Sequence, residues 1–375
     1  MYTTEGNRAM RKIAGGRYEI SEEVLGEGSF GKVHLGQTSS PVGSVSTQPD
    51  GEKVAIKVIN RNRLSKYMHQ RLSEELRIHS KVKHENIVRM HDVVEEGDMM
   101  YLIFELLEGG DIFDFIISNG RLEEKDARRL FKQLCTGLKH CHDQHIIHHD
   151  VKLENCMLKK DRNGRETLKL VDFGLACVSP PGQKLQTFSG TAAYCAAEIL
   201  AGTFFKFFLK QFPVLIVFFF FPLGREYDGR LIDAYSAGVF LYICLTGAYP
   251  FSQDLEVQHE EQADMRYLAA LPFPDSVSKE ARDLVLQLLH PTPEKRTTIE
   301  EALVHPFLVQ QTTPRNGAEK DSNRCSDDDD VSGDEPQEMQ MDETFRFDEE
   351  EWNASNEELA DVSWEDQLTN DCKSF

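Results

Sequence analysis

The chain has 375 residues, 40% of them hydrophobic and 28% charged, with 42 Lys and Arg against 63 Asp and Glu. The formal net charge of −21 argues against a partner that is nucleic acid or an anionic membrane surface, and the composition is neither collagen-like, coiled-coil nor wholly disordered. The length predicts two or three domains. The 8 cysteines are scattered without a CxxC pair and the start, MYTTEGNRAMRK, carries no apolar signal stretch. Reduced thiols and an intracellular location, cytoplasmic with the nucleus also open, are therefore expected.

The charge is unevenly spread. Residues 309–375 hold 21 acidic and 5 basic side chains, a net of −16, which leaves −5 for the first 308. A near-neutral body followed by an acidic tail is the expectation, and runs such as Asp327 to Asp330 repel themselves and bury little, so the tail is read as disordered. It holds both tryptophans, Trp352 and Trp364, with Phe345 and Phe347. It reads first as a solvated tail and second as a short linear docking segment.

Along the body, residues 18–25 and 32–36 read as strands flanking a Gly-rich turn, and 38–51 as a Ser-, Pro- and Gly-rich loop. Residues 53–59 form a short apolar strand, 64–82 a charged helix, and 99–107 an apolar strand closed by Gly109 and Gly110. Ala127, Leu130, Phe131, Leu134, Leu138 and Cys141 recur at the spacing of one helix face. Residues 234–245 and 281–289 also read as helical. Strands first and helices afterwards predict two lobes of different class.

Four motifs carry chemistry. Gly26-Glu27-Gly28-Ser29-Phe30-Gly31-Lys32-Val33 lets backbone approach phosphate oxygens where a Cβ would collide. Alone it is equally a tight hairpin turn, and the strand-like Lys32 to Leu35 speaks against a dinucleotide site, which needs a helix there. Val54-Ala55-Ile56-Lys57 ends an apolar strand in one ammonium. Glu75 on the next helix is its expected partner, with Glu74 the neighbouring alternative. His148-His149-Asp150-Val151-Lys152-Leu153-Glu154-Asn155 and then Asp172-Phe173-Gly174 complete the set.

In this order the motifs resemble the eukaryotic protein kinase family over residues 18–308. Lys152 resembles the serine/threonine class. The stretch from Leu185 to Thr191 resembles the activation segment of the calcium/calmodulin-dependent group, in particular its AMP-activated-kinase-like branch. The resemblance implies an α+β, two-lobed kinase fold, with a small β-rich lobe over about 18–107 and a larger helical lobe over about 108–308. Residues 1–17 stand before it as an N-terminal extension.

It also implies Mg²⁺ and ATP. Gly26, Gly28 and Gly31 would cover the phosphates. Lys57, held by Glu75, would contact the α- and β-phosphates, and Asn155 and Asp172 would hold the metal. Asp150 would orient the substrate hydroxyl and accept its proton while Lys152 steadies the moving phosphoryl group. Leu25, Val33, Ala55, Leu107 and Met157 would line the adenine slot, with Glu105 in the hinge and Phe104 as gatekeeper. Asp111 and Glu154 match positions that accept an Arg upstream of the phosphosite, Thr191 lies in the substrate-docking loop, and Thr187 is the regulatory phosphosite. The partners implied are protein substrates with Ser or Thr, basic upstream of the site, and an upstream activating kinase.

The chain also departs from the pattern. His149 replaces the Arg that grips an activation-loop phosphate, so phosphorylation of Thr187 is expected to matter less. Ala197 replaces a proline, and Tyr235 a tryptophan. Glu198 is still expected to meet Arg296, and Asp233 to brace the catalytic loop. Residues 203–224, TFFKFFLKQFPVLIVFFFFPLG, hold 9 of the 23 phenylalanines. Their uninterrupted apolar run of 12 residues is short of the roughly 20 that a membrane span needs. A translated intron is the preferred hypothesis, because Phe codons are pyrimidine-rich and joining Gly202 to Arg225 restores the family's spacing. The rival to an active serine/threonine kinase is a pseudokinase or scaffold that keeps the fold without the reaction.

Overall fold

The computed structural model describes residues 10–28, 30–39, 51–200, 221–252 and 254–309. The acidic tail, with its tryptophans, and residues 203–220 of the Phe-rich segment lie outside the described residues.

The small lobe is built on one antiparallel sheet. β1 (Arg11–Ile13), β2 (Tyr18–Gly28), β3 (Gly31–Thr38), β4 (Lys53–Asn60), β5 (Met90–Glu96) and β6 (Met99–Glu105) lie in the order β1-β2-β3-β4-β6-β5. The two-residue period of a strand sorts side chains onto opposite faces. Val54, Ile56, Tyr101 and Ile103 pack with Ile13, Tyr18 and Ile20 on one face. Met100 and Leu102 pack on the other against Leu72 and Leu76 of α1 (Lys66–Lys81). Ser65 caps α1 by accepting from the Met68 amide at 3.3 Å, a common way of satisfying a free helix-end donor. Part of the N-terminal extension joins this sheet: Ile13 is buried and β1 pairs with β2.

The large lobe opens with α2 (Ile112–Asn119) and α3 (Glu124–Asp143). Two short pairs, β7 (Ile146–Ile147) with β10 (Cys177–Val178) and β8 (Cys156–Lys160) with β9 (Glu166–Leu170), carry the loops that hold the site residues. Next come α4 (Ala197–Leu200), α5 (Gly229–Thr246), α6 (Leu255–Ala263), α7 (Met265–Ala269), α8 (Lys279–Leu288), α9 (Ile299–Leu303) and α10 (Pro306–Val309). The middle of α5, Ile232 through Leu245, is buried on all sides, so this apolar helix forms the centre of the lobe's core. It starts at Asp228, whose side chain accepts from the Arg230 amide, and stops at Gly247, which adopts a left-handed φ of 77°. No helix of the described residues is long and apolar enough to cross a membrane.

The end of the Phe-rich segment has a place in the fold. Residues Phe221–Tyr227 form β12, which pairs antiparallel with β11 (Leu185–Phe188) in the activation segment. Leu185 stands opposite Tyr227 and Thr187 opposite Pro222.

Candidate active site

The sheet supplies the roof of the site. Register places Lys57 opposite Val33 and Leu102, and Ala55 opposite Phe104. These residues share the face that packs toward α1. Two glycines of the turn have different neighbours. A Cβ on Gly31 would lie 2.0 Å from the Val58 carbonyl oxygen, so that position is set by packing within the sheet. A Cβ on Gly28 would come within 3.3 Å of the Lys57 side chain, which makes this glycine the cradle over the ammonium. Gly26 and Leu25 border open space; Leu25 is 44% exposed, whereas Val33, Ala55, Leu107 and Met157 are partly buried.

Lys57 Nζ lies 3.0 Å from Glu75 Oε1, and both residues are buried. The neighbouring Glu74 is turned to Arg77 at 2.6 Å, which decides between the two carboxylates. Burial alone would discharge Lys57, but Glu75 and Asp172 more than offset it and hold the ammonium above its usual range. The second oxygen of Glu75 has no hydrogen-bond partner among the described residues. The Phe30 ring sits 5.4 Å from the ammonium.

The catalytic loop supplies the floor. Asp233 of α5 is fully buried and accepts from the His148 and His149 amides, each at 2.9 Å, with His142 Nε2 also at 2.9 Å. This grip holds His149 at a φ of 65°, a left-handed conformation that side-chain-bearing residues rarely adopt. Beyond the bend, Asp150 meets three groups. Lys152 Nζ lies 2.7 Å from its Oδ2, Asn155 Nδ2 donates to the same oxygen at 2.9 Å, and the Thr191 hydroxyl donates to its Oδ1 at 2.7 Å. Lys152 also donates to the Thr191 hydroxyl at 2.9 Å. Asp172 has a φ of 58° and its Oδ1 accepts from the Gly174 amide at 3.1 Å.

The residues present fit magnesium and a triphosphate. Asn155 spends its amide nitrogen on Asp150, leaving the carbonyl oxygen as the donor for a cation. With Asp172 it would offer two protein ligands, the sparse set typical of Mg²⁺ bound mainly through phosphate and water. Among the described residues no group of three His, Cys, Asp or Glu could hold a metal by itself.

Phe173 is fully buried between His79 and His148, its ring centre 4.9 Å from each. His79 Nε2 lies 2.8 Å from the Val88 carbonyl. Burial pushes the His79 imidazole down to about 4; Lys57 and His148 add to this, while the Val88 carbonyl and Asp172 oppose it. The unfolded chain therefore takes up this proton first. Stability from neutral His79 is present above its unfolded value of 6.5 and is lost as pH falls toward about 4. The full effect is on the order of 3 kcal/mol. His79→Leu is expected to flatten the acid side of a denaturation-midpoint profile, and an unchanged profile would refute the assignment.

The remaining expected site residues are placed as follows. The Glu105 carboxylate is engaged by Lys159 at 2.6 Å and Lys169 at 2.7 Å and accepts from the Arg89 amide, and its own amide donates to the Arg89 carbonyl at 3.0 Å, so the side chain is turned to structure and not to a ligand. Asp111 caps α2 by accepting from the Asp114 amide, and Glu154 is exposed with an oxygen 3.5 Å from the Tyr194 hydroxyl. Thr191 joins the catalytic cluster itself. Glu198 and Arg296 meet at 2.6 and 3.0 Å. Thr187 lies on β11, opposite Pro222.

Sequence reasoning missed Arg71, which donates to the Gly174 and Ala176 carbonyls at 2.9 and 3.1 Å and so ties α1 to the segment after Asp172. Its signal was its place one helical turn before Glu75, on the same face.

Fold and site together define the two-lobed architecture of a protein kinase. The sequence model of the protein kinase domain matches residues 18–308. The chain is 33% identical over 336 residues to CBL-interacting protein kinase 8 of Oryza sativa subsp. japonica, a match covering 89% of this chain and 66% of that one. It is 35% identical over 298 residues to the SNF-related serine/threonine-protein kinase of Homo sapiens, covering 79% and 34% of the two chains. With serine/threonine-protein kinase SIK1 of Rattus norvegicus it shares 30% over 319 residues, 83% of this chain and 36% of that one. The chain thus spans just under two thirds of the first relative's length and about a third of the other two. The chain belongs to the protein kinase family, and its relatives bear out the likeness to the AMP-activated-kinase-like branch.

Proposed function

We propose that the chain is a serine/threonine protein kinase that moves the γ-phosphoryl group of Mg-ATP to hydroxyls of intracellular protein substrates. The observation that carries this reading is the Thr191 hydroxyl, held 2.7 Å from Asp150 and 2.9 Å from Lys152. It marks where an alcohol can sit with its proton on the carboxylate and a cation beside its oxygen. Asp150 would take the same hydrogen bond from a substrate hydroxyl and then its proton, and Asn155 and Lys152 keep that carboxylate aimed. Lys57, fixed by Glu75, would hold the α- and β-phosphates, and Asp172 and Asn155 the metal. Bound Mg-ATP supplies the phosphoryl group and the divalent charge that offsets its negative oxygens. The exposed Glu154 and partly exposed Asp111 would favour substrates basic upstream of the acceptor. Peptide phosphorylation in Mg-ATP by the wild-type chain tests the reading; nucleotide binding without transfer would favour the pseudokinase alternative.

Thr187 is the proposed phosphosite of an upstream kinase, with a smaller role than in Arg-bearing relatives. His149 is buried, its Nδ1 3.3 Å from the Leu175 carbonyl and its Nε2 3.4 Å from the Tyr227 hydroxyl. Burial lowers its pKa, with Asp233 and the Leu175 carbonyl opposing, so at neutral pH it offers a phosphate no charge. Thr187→Ala is expected to keep activity within about threefold of wild type, because no charged grip on a phosphate is lost. A much larger gain on phosphorylating wild-type Thr187 would contradict this.

A further inference from the structure

The substrate-docking loop is held by two side chains that none of the motifs above contains. Gln258 and Gln262 lie four residues apart on α6, hence on one face of that helix. They are 1% and 2% exposed. Gln258 Nε2 donates to the Ala192 carbonyl at 3.0 Å, and Gln262 Nε2 to the Cys195 carbonyl at 2.9 Å. These carbonyls bracket the single turn Ala192–Tyr194 that follows Thr191. From the other side Ser236 donates to the Tyr194 carbonyl at 2.9 Å. The Tyr194 hydroxyl accepts from the Leu153 amide at 3.4 Å, which links the loop back to the catalytic residues.

Both glutamines leave the amide oxygen buried without a partner among the described residues. A buried acceptor without a partner costs stability, and an apolar side chain of similar size would not. Core packing alone therefore does not account for two amides here. Their directional contribution is to fix the orientation of two loop carbonyls, which apolar contact cannot do.

Resting on the kinase reading, we propose that Gln258 and Gln262 are positioning residues: together they clamp the docking loop and set selectivity for the substrate residue that follows the phosphoacceptor. The test uses the full chain with Gln258→Met and Gln262→Met combined. It is assayed on a peptide set varied only at that following position, with the ATP KM and the thermal midpoint measured alongside. The peptide KM should rise about tenfold, the factor that two ordinary hydrogen bonds carry, and the spread of preference across the set should shrink by a similar factor. The ATP KM should not move, and the thermal midpoint should change little, because losing two unpaired amide oxygens offsets losing two hydrogen bonds to loop carbonyls.

An unchanged peptide KM and preference overturns the proposal. So does a joint decline of kcat, ATP affinity and thermal midpoint, which a purely structural role would give. Should the double variant fail to fold, Gln258→Met alone carries the same comparison. A wild-type chain that transfers no phosphate to any peptide sinks the kinase reading instead, and that arm is read before the variants.

Discussion

Asp150→Asn is expected to reduce phosphoryl transfer by between about a hundredfold and ten-thousandfold, the range that one positioned general base supplies, while the protein stays folded. The contacts explain why the two effects separate. Lys152 and Asn155 both donate to Oδ2 of Asp150, whereas the partner of Oδ1 is the hydroxyl of Thr191. An asparagine can keep its carbonyl toward the two donors and turn its amide to the hydroxyl, which can accept as well as donate. No hydrogen bond need be lost, yet the group facing the hydroxyl can no longer take a proton.

On the proposed reading nucleotide binding would rest on Lys57, Glu75, Asp172 and the glycine turn, so Mg-ATP should raise the thermal midpoint of the variant much as it raises that of wild type. The comparison is made by peptide phosphorylation beside a nucleotide titration of the midpoint. Transfer within tenfold of wild type would remove Asp150 from the role of base. Loss of both readouts would point to a collapsed site.

What the sequence made legible was the part of the site that sits in contiguous motifs. Lys57, Asp150, Asn155 and Asp172 fall in strand, loop and turn motifs, and counting back from His84 favours Glu75 over Glu74. Asp233 and the Glu198–Arg296 pair were also readable, but only through the family resemblance, whose pattern the residues around them match. Contacts between remote segments were not. β8 and β9 are short, and their pairing depends on neighbours more than on propensity. Glu105 reads as a hinge residue, but nothing in its surroundings in the chain announces Lys159 and Lys169 as partners. His79 occupies a core position on α1 that an apolar pattern would fill, so its packing on Phe173 appears only when the lobes meet.

His149 shows both sides of this limit. Its identity announced that a charged grip was missing, but the groups that surround it instead, the Leu175 carbonyl and the Tyr227 hydroxyl, come from the activation segment and β12. The Phe-rich segment is similar. Its hydrophobicity was plain, yet the pairing of its last residues with β11 was not, because antiparallel register depends on the partner strand. Joining Gly202 to Arg225, as the intron hypothesis proposes, would remove residues 221–224 from β12. It would leave Tyr227, whose partner Leu185 anchors the other end of the pairing.

Asp233→Ala carries the largest expected cost to stability, at least about 3 kcal/mol, since it removes a buried carboxylate and leaves its donors unpaired. Two of those donors are the backbone amides of His148 and His149, and the third is the His142 ring. The loss should also reach the chemistry. His149 is held in a left-handed conformation that Asp233 stabilises, and relaxing it would swing Asp150 away from Asn155 and Lys152. Both the denaturation midpoint and kcat should therefore drop, whereas Asp233→Asn, which keeps one acceptor oxygen, should lose less of each.

The pH dependence follows from the direction of the Asp233 shift. Burial pushes its pKa up, but the His142 hydrogen bond and charge, with His148 and His149, outweigh it and leave the carboxyl below its usual value. A carboxyl depressed on folding stabilises the protein above its unfolded pKa and loses that contribution as pH falls through the folded one. The stability gap between wild type and Asp233→Ala should thus stay flat through the neutral range and narrow only in acid, below the usual carboxylate range. A gap that narrowed already near neutrality would contradict a carboxyl held below its usual range, and Asp233 would lose its place as the anchor of the catalytic loop.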